Sequence, residues 1–425
     1  MKKSNNCFSV LIQKFTLLLL LITIAAAIAA LASCDVFNRS DNSPQVIISD
    51  SQPEVIPVDV SLSDTALEIG VNTVHTVSAD GGHQITWSSS DESVASVSPE
   101  GEITGIGTGE CDLKAVNEFG KSAQCHVTVK KTVFITIDDG PLANCEAILS
   151  KLKKHDVKAT FFVVNTYNIA ITKQMHEDGH YVGLHAYNHN FAKCYRNEYS
   201  YFADLEKLKD VVEEHTGERP NIIRFPGGTS NHVMDRLGMR RMVTGLDDLG
   251  YREFDWTTSS GDATNQPITY KDVAYRVLAN CYHDYDIVLM HDKETTPKAL
   301  GIIIPELKRR GFIFETLNHC AEYSHRDISW YERSVSDESV PCESLTVDRE
   351  SFDLEPDKSF TLNAAMSPDH STDYVRFVSD NPSVASVTLE GIVTGLKPGT
   401  AKISAIASSG QEAVCTVTVS ELPAA

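Results

Sequence analysis

The chain has 425 residues, enough for two or three domains that each bury a core of their own. Its formal net charge is −21, with 37 Lys and Arg against 58 Asp and Glu. That balance argues against nucleic acid as a partner, because a phosphate backbone calls for a basic face.

Lys2, Lys3 and Lys14 precede an apolar run, "FTLLLLLITIAAAIAALA", which ends at "LASC", Leu31 to Cys34. A basic start, an apolar middle and small residues before a cut predict a secretory signal over 1–33. The stretch is also nearly long enough to span a membrane uncleaved. Leu-Ala-Ser-Cys resembles the lipobox of bacterial lipoproteins. That resemblance implies a lipid on Cys34 and a place on the outer face of a bacterial membrane. Residues 34–55, rich in Asp, Ser, Asn, Gln and Pro, read as a flexible tether. Of ten cysteines, Cys7 leaves with the signal and Cys34 carries the lipid. The others, Cys111, Cys125, Cys145, Cys194, Cys281, Cys320, Cys342 and Cys415, permit disulfides without fixing their pairing. No Cys-x-x-Cys pair is present to build a cysteine zinc cluster.

Two segments match at a constant offset. "SVASVSPEGEITGIGTGECDLKA", 93–115, aligns with "SVASVTLEGIVTGLKPGTAKISA", 383–405, and "CHVTV", 125–129, with "CTVTV", 415–419. Short alternating Val, Thr and Ile runs broken by Gly, Pro, Ser and Asp predict antiparallel β-sandwiches. The segments resemble bacterial Ig-like group 2 domains, over 56–130 and 341–421. The resemblance implies a spacer or a glycan-contact module. With no aromatic platform in either copy, spacer is the reading preferred here.

Between them, residues 131–325 alternate strand-like runs ("TVFITI", "ATFFVV", "YVGLH", "NIIRF", "YREFDW", "DIVLMH") with helical ones ("CEAILSKLKKH", "YFADLEKLKDVVEEHTG", "KDVAYRVLANCY", "IIIPELKRRG"). Such alternation predicts an α/β barrel, followed by a linker over 326–340. Chemistry in such folds sits at the carboxyl ends of the strands, here Asp138-Asp139, His185, Arg224, Asp255-Trp256 and His291.

Alone, "DDGP" at 138–141 reads as an acidic turn. Its neighbours suggest more. His185 and His189 stand four apart just after a strand, whereas His176 and His180, at the same spacing, fall at a helix end and read as surface or packing residues. One carboxylate and two imidazoles suit zinc or a neighbouring divalent ion and leave positions open for water and substrate. The other aspartate is then available as a general base if Arg224 grips it bidentately. Gly227 offers an unobstructed N–H for an oxyanion, and His291 could protonate a leaving group.

The block resembles the polysaccharide deacetylases, the NodB-type catalytic domain of carbohydrate esterase family 4. Five motifs carry the likeness in order: "TIDDGP" (136–141), "HAYNH" (185–189), "RFPGG" (224–228), "DWTTSSGDA" (255–263) and "LMHD" (289–292). The resemblance implies a distorted (β/α)7 barrel, here flanked by two all-β sandwiches, that hydrolyses N- or O-acetyl groups on glycans with one divalent metal ion, zinc or else cobalt or another ion. It implies Asp138 as base, Asp139, His185 and His189 as metal ligands, and Arg224 as the residue orienting the base. It further implies Gly227 at the oxyanion site, His291 as acid tuned by Asp262, Leu289 in the acetyl pocket and Trp256 as a groove wall. Ile137 stands where Phe is usual, Gly227 where Tyr is common, Ser259 where Asp is and Ala263 where Trp is. The change at Gly227 predicts a lost aromatic wall. The expected substrate is an acetylated cell-wall amino-sugar glycan, peptidoglycan-like. The alternatives are an O-acetyl esterase on xylan-type polysaccharide and a non-catalytic surface glycan-binding or adhesion lipoprotein.

Overall fold

One strand, β1 (Ser122–Asp138), runs from the edge of a sandwich into the centre of a barrel. In its first half burial alternates, at Cys125, Val127 and Val129, as in a sheet with one covered face. From Thr132 to Asp138 every residue is buried, as in a strand covered on both faces. The computed structural model describes residues 58–264, 266–321 and 339–421. The signal (1–33), Cys34, the tether (34–55) and most of the 326–340 linker lie outside the described residues.

The barrel continues with β2 (Thr160–Val164), β3 (Tyr181–Ala186), β4 (Ile222–Ile223), β5 (Arg252–Glu253), β6 (Thr258–Ser259), β7 (Tyr285–His291) and β8 (Phe312–Phe314). β1 to β5 pair in sequence, all parallel; β7 takes the other edge of β1, and β6 lies beyond β7. Seven strands thus ring the core, open between β5 and β6, which share no ladder among the described residues. β8 pairs with Lys131–Val133, at the base of β1. The distortion is local: β4, β5 and β6 have two residues each.

Helices α1 (Cys145–Lys154), α2 (Thr172–Glu177), α3 (Phe191–Cys194), α4 (Ser200–Thr216), α5 (Arg236–Asp248), α6 (Tyr270–Asn280) and α7 (Thr295–Arg309) accompany the barrel strands. Their apolar residues fall on one stripe, as with Ile148, Leu149 and Leu152 in α1 and Leu300, Ile303, Ile304 and Leu307 in α7. A Thr269–Asp272 capping box starts α6, and Gly217, at a left-handed φ of 78°, ends α4.

The two repeats fold alike. In the first, Ala66–Gly70, β1, Gly109–Asn117 and Ile85–Ser89 form one sheet; in the second, Ser351–Leu354, Glu412–Val419, Gly399–Ala407 and Val375–Ser379 repeat the order. A three-stranded sheet packs opposite in each. All eight described cysteines are buried and none joins a disulfide among the described residues, unlike the pairing that the composition permitted. Burial pushes the thiols of Cys145, Cys281 and Cys320 up to about 12, which makes them packing groups rather than nucleophiles.

Neither sandwich hangs as a loose spacer. The first shares β1, and Thr132 Oγ1 donates to the Val71 carbonyl across the junction at 2.9 Å. The second inserts Tyr374 into the barrel's own core. The ring lies 5.1 Å from Phe202 and 5.5 Å from Tyr199, centre to centre. It covers Gly245 of α5, where a Cβ would sit 2.7 Å from the ring. Arg241 fixes the contact by donating to the carbonyls of Ser371 and Asp369 at 2.9 and 2.8 Å. A spacer needs no such interlock.

Tyr374→Ala should therefore cost about 3–5 kcal/mol of stability in urea denaturation of the purified chain. Tyr374→Phe should cost nothing or stabilise, because the buried phenol oxygen has no hydrogen-bond partner among the described residues. Equal losses in both variants would contradict this packing.

Candidate active site

Asp138 closes β1 only 2 % exposed, and Asp139 turns the chain with a left-handed φ of 65°, a region Asp enters more readily than most residues. Asp292, directly after His291, holds the following loop. Its carboxylate accepts the N–H groups of Leu142 (2.5 Å) and Asn144 (3.1 Å), and its own N–H donates to the Asp138 carbonyl at 3.2 Å.

His185 ends β3 facing the same site. Asp139 Oδ1 lies 3.4 Å from His185 Nε2 and 3.2 Å from His189 Nε2. Neither approach has the direction of a hydrogen bond, and this buried oxygen has no hydrogen-bond partner among the described residues. The other ring nitrogen of His185, Nδ1, lies 2.7 Å from the Arg224 carbonyl, which can only accept, so the proton sits on Nδ1 and Nε2 presents a lone pair. Burial, and then neighbouring His185, hold the His189 imidazole below its usual range and so neutral. Acceptor atoms of all three residues therefore converge within 4.8 Å of one another, the donor set of a divalent cation.

Arg224 has no solvent exposure. The sequence led us to expect a bidentate grip on the base. Instead a single bond joins Nη1 to Asp138 Oδ1 at 2.9 Å. The rest of the fork is spent inside the barrel: Nη1 also donates to Thr136 Oγ1 (2.6 Å), Nε to the Phe254 carbonyl (2.8 Å) and Nη2 to the Asp255 carbonyl (2.8 Å). The guanidinium thus reaches two backbone carbonyls just after the short β5. Asp138 Oδ2 is left without a hydrogen bond among the described residues.

Gly227 is exposed at a φ of 76°. Its N–H makes no hydrogen bond among the described residues. The opposite end of the same trans peptide, the Pro226 carbonyl, accepts from Tyr195 OH at 2.7 Å. Because C=O and N–H point oppositely across a trans peptide, this bond fixes the direction of the Gly227 N–H. The aromatic wall expected to be lost here is present from another element. A Cβ at Gly227 would lie 3.1 Å from Phe191, whose ring also meets His189 edge-on at 5.3 Å.

His291 ends β7 in register with Asp138. Asp262 holds it twice, accepting from its backbone N–H (2.9 Å) and lying 2.6 Å from Nδ1. Burial pulls the imidazole down, but the Asp262 bond and the charges of Asp138, Asp262 and Asp139 outweigh it, and the net shift is upward. Leu289 is buried two residues earlier on β7, and the Trp256 ring lies 5.7 Å from the Arg224 guanidinium. His180 is buried beside Phe161 and accepts from the Ala159 N–H at 3.1 Å, while His176 faces Glu218.

Sequence reasoning missed Tyr195, Tyr201, Thr136, Phe191 and Asp292. Tyr201 OH lies within reach of two carbonyls, those of His185 (2.7 Å) and Arg224 (3.1 Å). Only Asp292, adjacent to His291, carried a visible signal; the tyrosines act through distant backbone carbonyls.

Because Asp262 favours the charged imidazole, Asp262→Asn should lower the His291 pKa. The protonated acid is then lost at lower pH, and the alkaline limb of kcat/KM should move down by about one to two pH units. A limb that stays in place would separate His291 from that limb.

Residues 126–242 match the polysaccharide deacetylase family, and residues 54–127 and 341–417 match the bacterial Ig-like domain (group 2). The chain is 31% identical over 230 residues to a peptidoglycan-N-acetylglucosamine deacetylase of Bacillus cereus, spanning 51% of this chain and 81% of that protein. It is 31% identical over 195 residues to the putative polysaccharide deacetylase YheN of Bacillus subtilis, spanning 44% of this chain and 67% of the relative. Among solved structures, the catalytic domain of peptidoglycan N-acetylglucosamine deacetylase from Eubacterium rectale is similar, with 35% identity and a TM-score of 0.45, over 46% of this chain and 92% of that one. The chain belongs to the polysaccharide deacetylase family, carbohydrate esterase family 4, and carries two bacterial Ig-like group 2 domains.

Proposed function

We propose that the chain is a metal-dependent hydrolase that removes N-acetyl groups from a cell-wall amino-sugar glycan and releases acetate. One observation carries the reading: a buried Asp139 oxygen without a hydrogen-bond partner among the described residues faces the ring nitrogens of His185 and His189, and Asp138 stands next in the chain, held by Arg224. Two relatives named as peptidoglycan N-acetylglucosamine deacetylases support the choice of an amino-sugar amide.

Held by Asp139, His185 and His189, a divalent ion (zinc by donor set, cobalt or another ion as alternatives) supplies Lewis acidity that polarises an acetyl carbonyl and acidifies water. Asp138 takes the proton of the attacking water on Oδ2, while Arg224 keeps Oδ1 engaged and the carboxylate oriented. The Gly227 N–H, aimed by Tyr195, donates to the acetyl oxygen as charge develops there. His291 has Nδ1 committed to Asp262, so Nε2 gives the proton to the departing amine. Leu289 offers an apolar surface to the acetyl methyl, and Trp256 walls the groove.

Acetate release by the purified chain from peptidoglycan, N-acetylglucosamine oligomers and acetylxylan, each with and without chelator, tests this. Chelator-sensitive release from an amino-sugar polymer is expected. Release from acetylxylan alone would replace the reading with an esterase, and no release by metal-loaded protein would leave a binding role. The lipobox-like "LASC" supports anchoring on the outer face of a bacterial membrane. Cys34→Ala should move the protein from the membrane to the soluble fraction, and a variant that stays membrane-bound would refute the anchor.

A further inference from the structure

The interlock of the second sandwich with the barrel creates a cleft of 660 Å³ between α3–α4 and the turn ahead of Ile392–Gly395. Asn188 lines it, and the next residue is the metal-site His189. One wall carries Lys193, Arg196 and Lys207, and the other Leu389 and Glu390. Arg196 reaches across to Glu390 at 3.3 Å. Lys193 and Lys207 are exposed and make no ion pair among the described residues. Asp204 lines the same cleft, is engaged by the Tyr187 N–H at 2.5 Å, and feels the charge of both lysines. Three cations thus face two carboxylates, Asp204 and Glu390, a local positive excess in a chain of net charge −21.

We propose that this cleft binds a carboxylate-bearing stretch of the same glycan strand whose acetyl group is presented to Asp138 and His291. The inference rests on the amino-sugar reading above and gives the second Ig-like domain a part in substrate recognition. A neutral sugar face would call for an open aromatic surface. The one lining aromatic that could serve, Tyr199, is already packed on Tyr374. Carboxylates, such as those on the peptide stems of cell-wall glycan, match Lys193 and Lys207 and compete with Glu390 for Arg196. Consecutive Cα atoms lie about 3.8 Å apart, so the cleft borders the backbone that carries the proposed metal ligand His189.

Binding of the full chain, in detergent, to glycan strands immobilised by their reducing ends tests the inference, using strands with stems intact and the same strands stripped by an amidase. Binding to intact material should be about three- to tenfold tighter at low salt, with the preference fading near about 0.5 M salt. The double variant Lys193→Gln/Lys207→Gln should lose both the preference and its salt dependence. A double variant that keeps them, or a wild-type chain that binds both materials alike, would overturn the inference. Acetate release is scored separately. Lysine-dependent binding without release would sink the deacetylase reading alone, and release without lysine-dependent binding would sink only the cleft.

Discussion

A guanidinium with no solvent exposure sits at the centre of the site, and much of the local architecture follows from the need to satisfy it. A buried charge is tolerated only when paired and fully hydrogen-bonded. Arg224 meets that condition by bonding Asp138, Thr136 and the carbonyls of Phe254 and Asp255. Its own carbonyl accepts from His185 and Tyr201. One residue thus links the proposed base, a proposed metal ligand and the irregular edge of the barrel at β5. Removing either partner of the Arg224–Asp138 pair leaves the other charge buried and alone, so base and arginine stand or fall together.

The second constraint is continuity of β1. The strand that carries Asp138 begins in the first Ig-like sandwich, so the position of the base is set partly by the sandwich sheet. The second sandwich is tied in by Tyr374 and Arg241. The three folded parts share cores and strands, which explains how an Ig-like domain borders a cleft beside the proposed metal site.

The sequence made the barrel and the sandwiches legible because each rests on periodicity. Alternation in 93–115 and 383–405 marks half-covered strands, and the apolar runs "VFI" and "IVLM" mark strands covered on both faces. Asp138, Asp139, His185, Arg224 and His291 were legible because charge at the end of a buried strand has few purposes. Arg224's single bond to Asp138 was not legible, since it depends on how the backbone turns after the short β5 to meet the guanidinium. Nor was the aromatic wall, because Phe191 reaches Gly227 from a different helix. Tyr195 and Tyr201 act on backbone carbonyls of residues remote in sequence, and Tyr374 acts on a glycine in another domain; no local pattern encodes either.

The division of labour between two adjacent carboxylates is the central claim. It is tested most directly by measuring bound divalent metal and turnover together in Asp138→Asn and Asp139→Asn. Asp138→Asn should hold metal as the wild-type chain does while turnover falls by about 10²–10⁴-fold, and Asp139→Asn should lose both. An Asp138→Asn protein that comes out without metal, or an Asp139→Asn protein that retains it, would contradict the assignment.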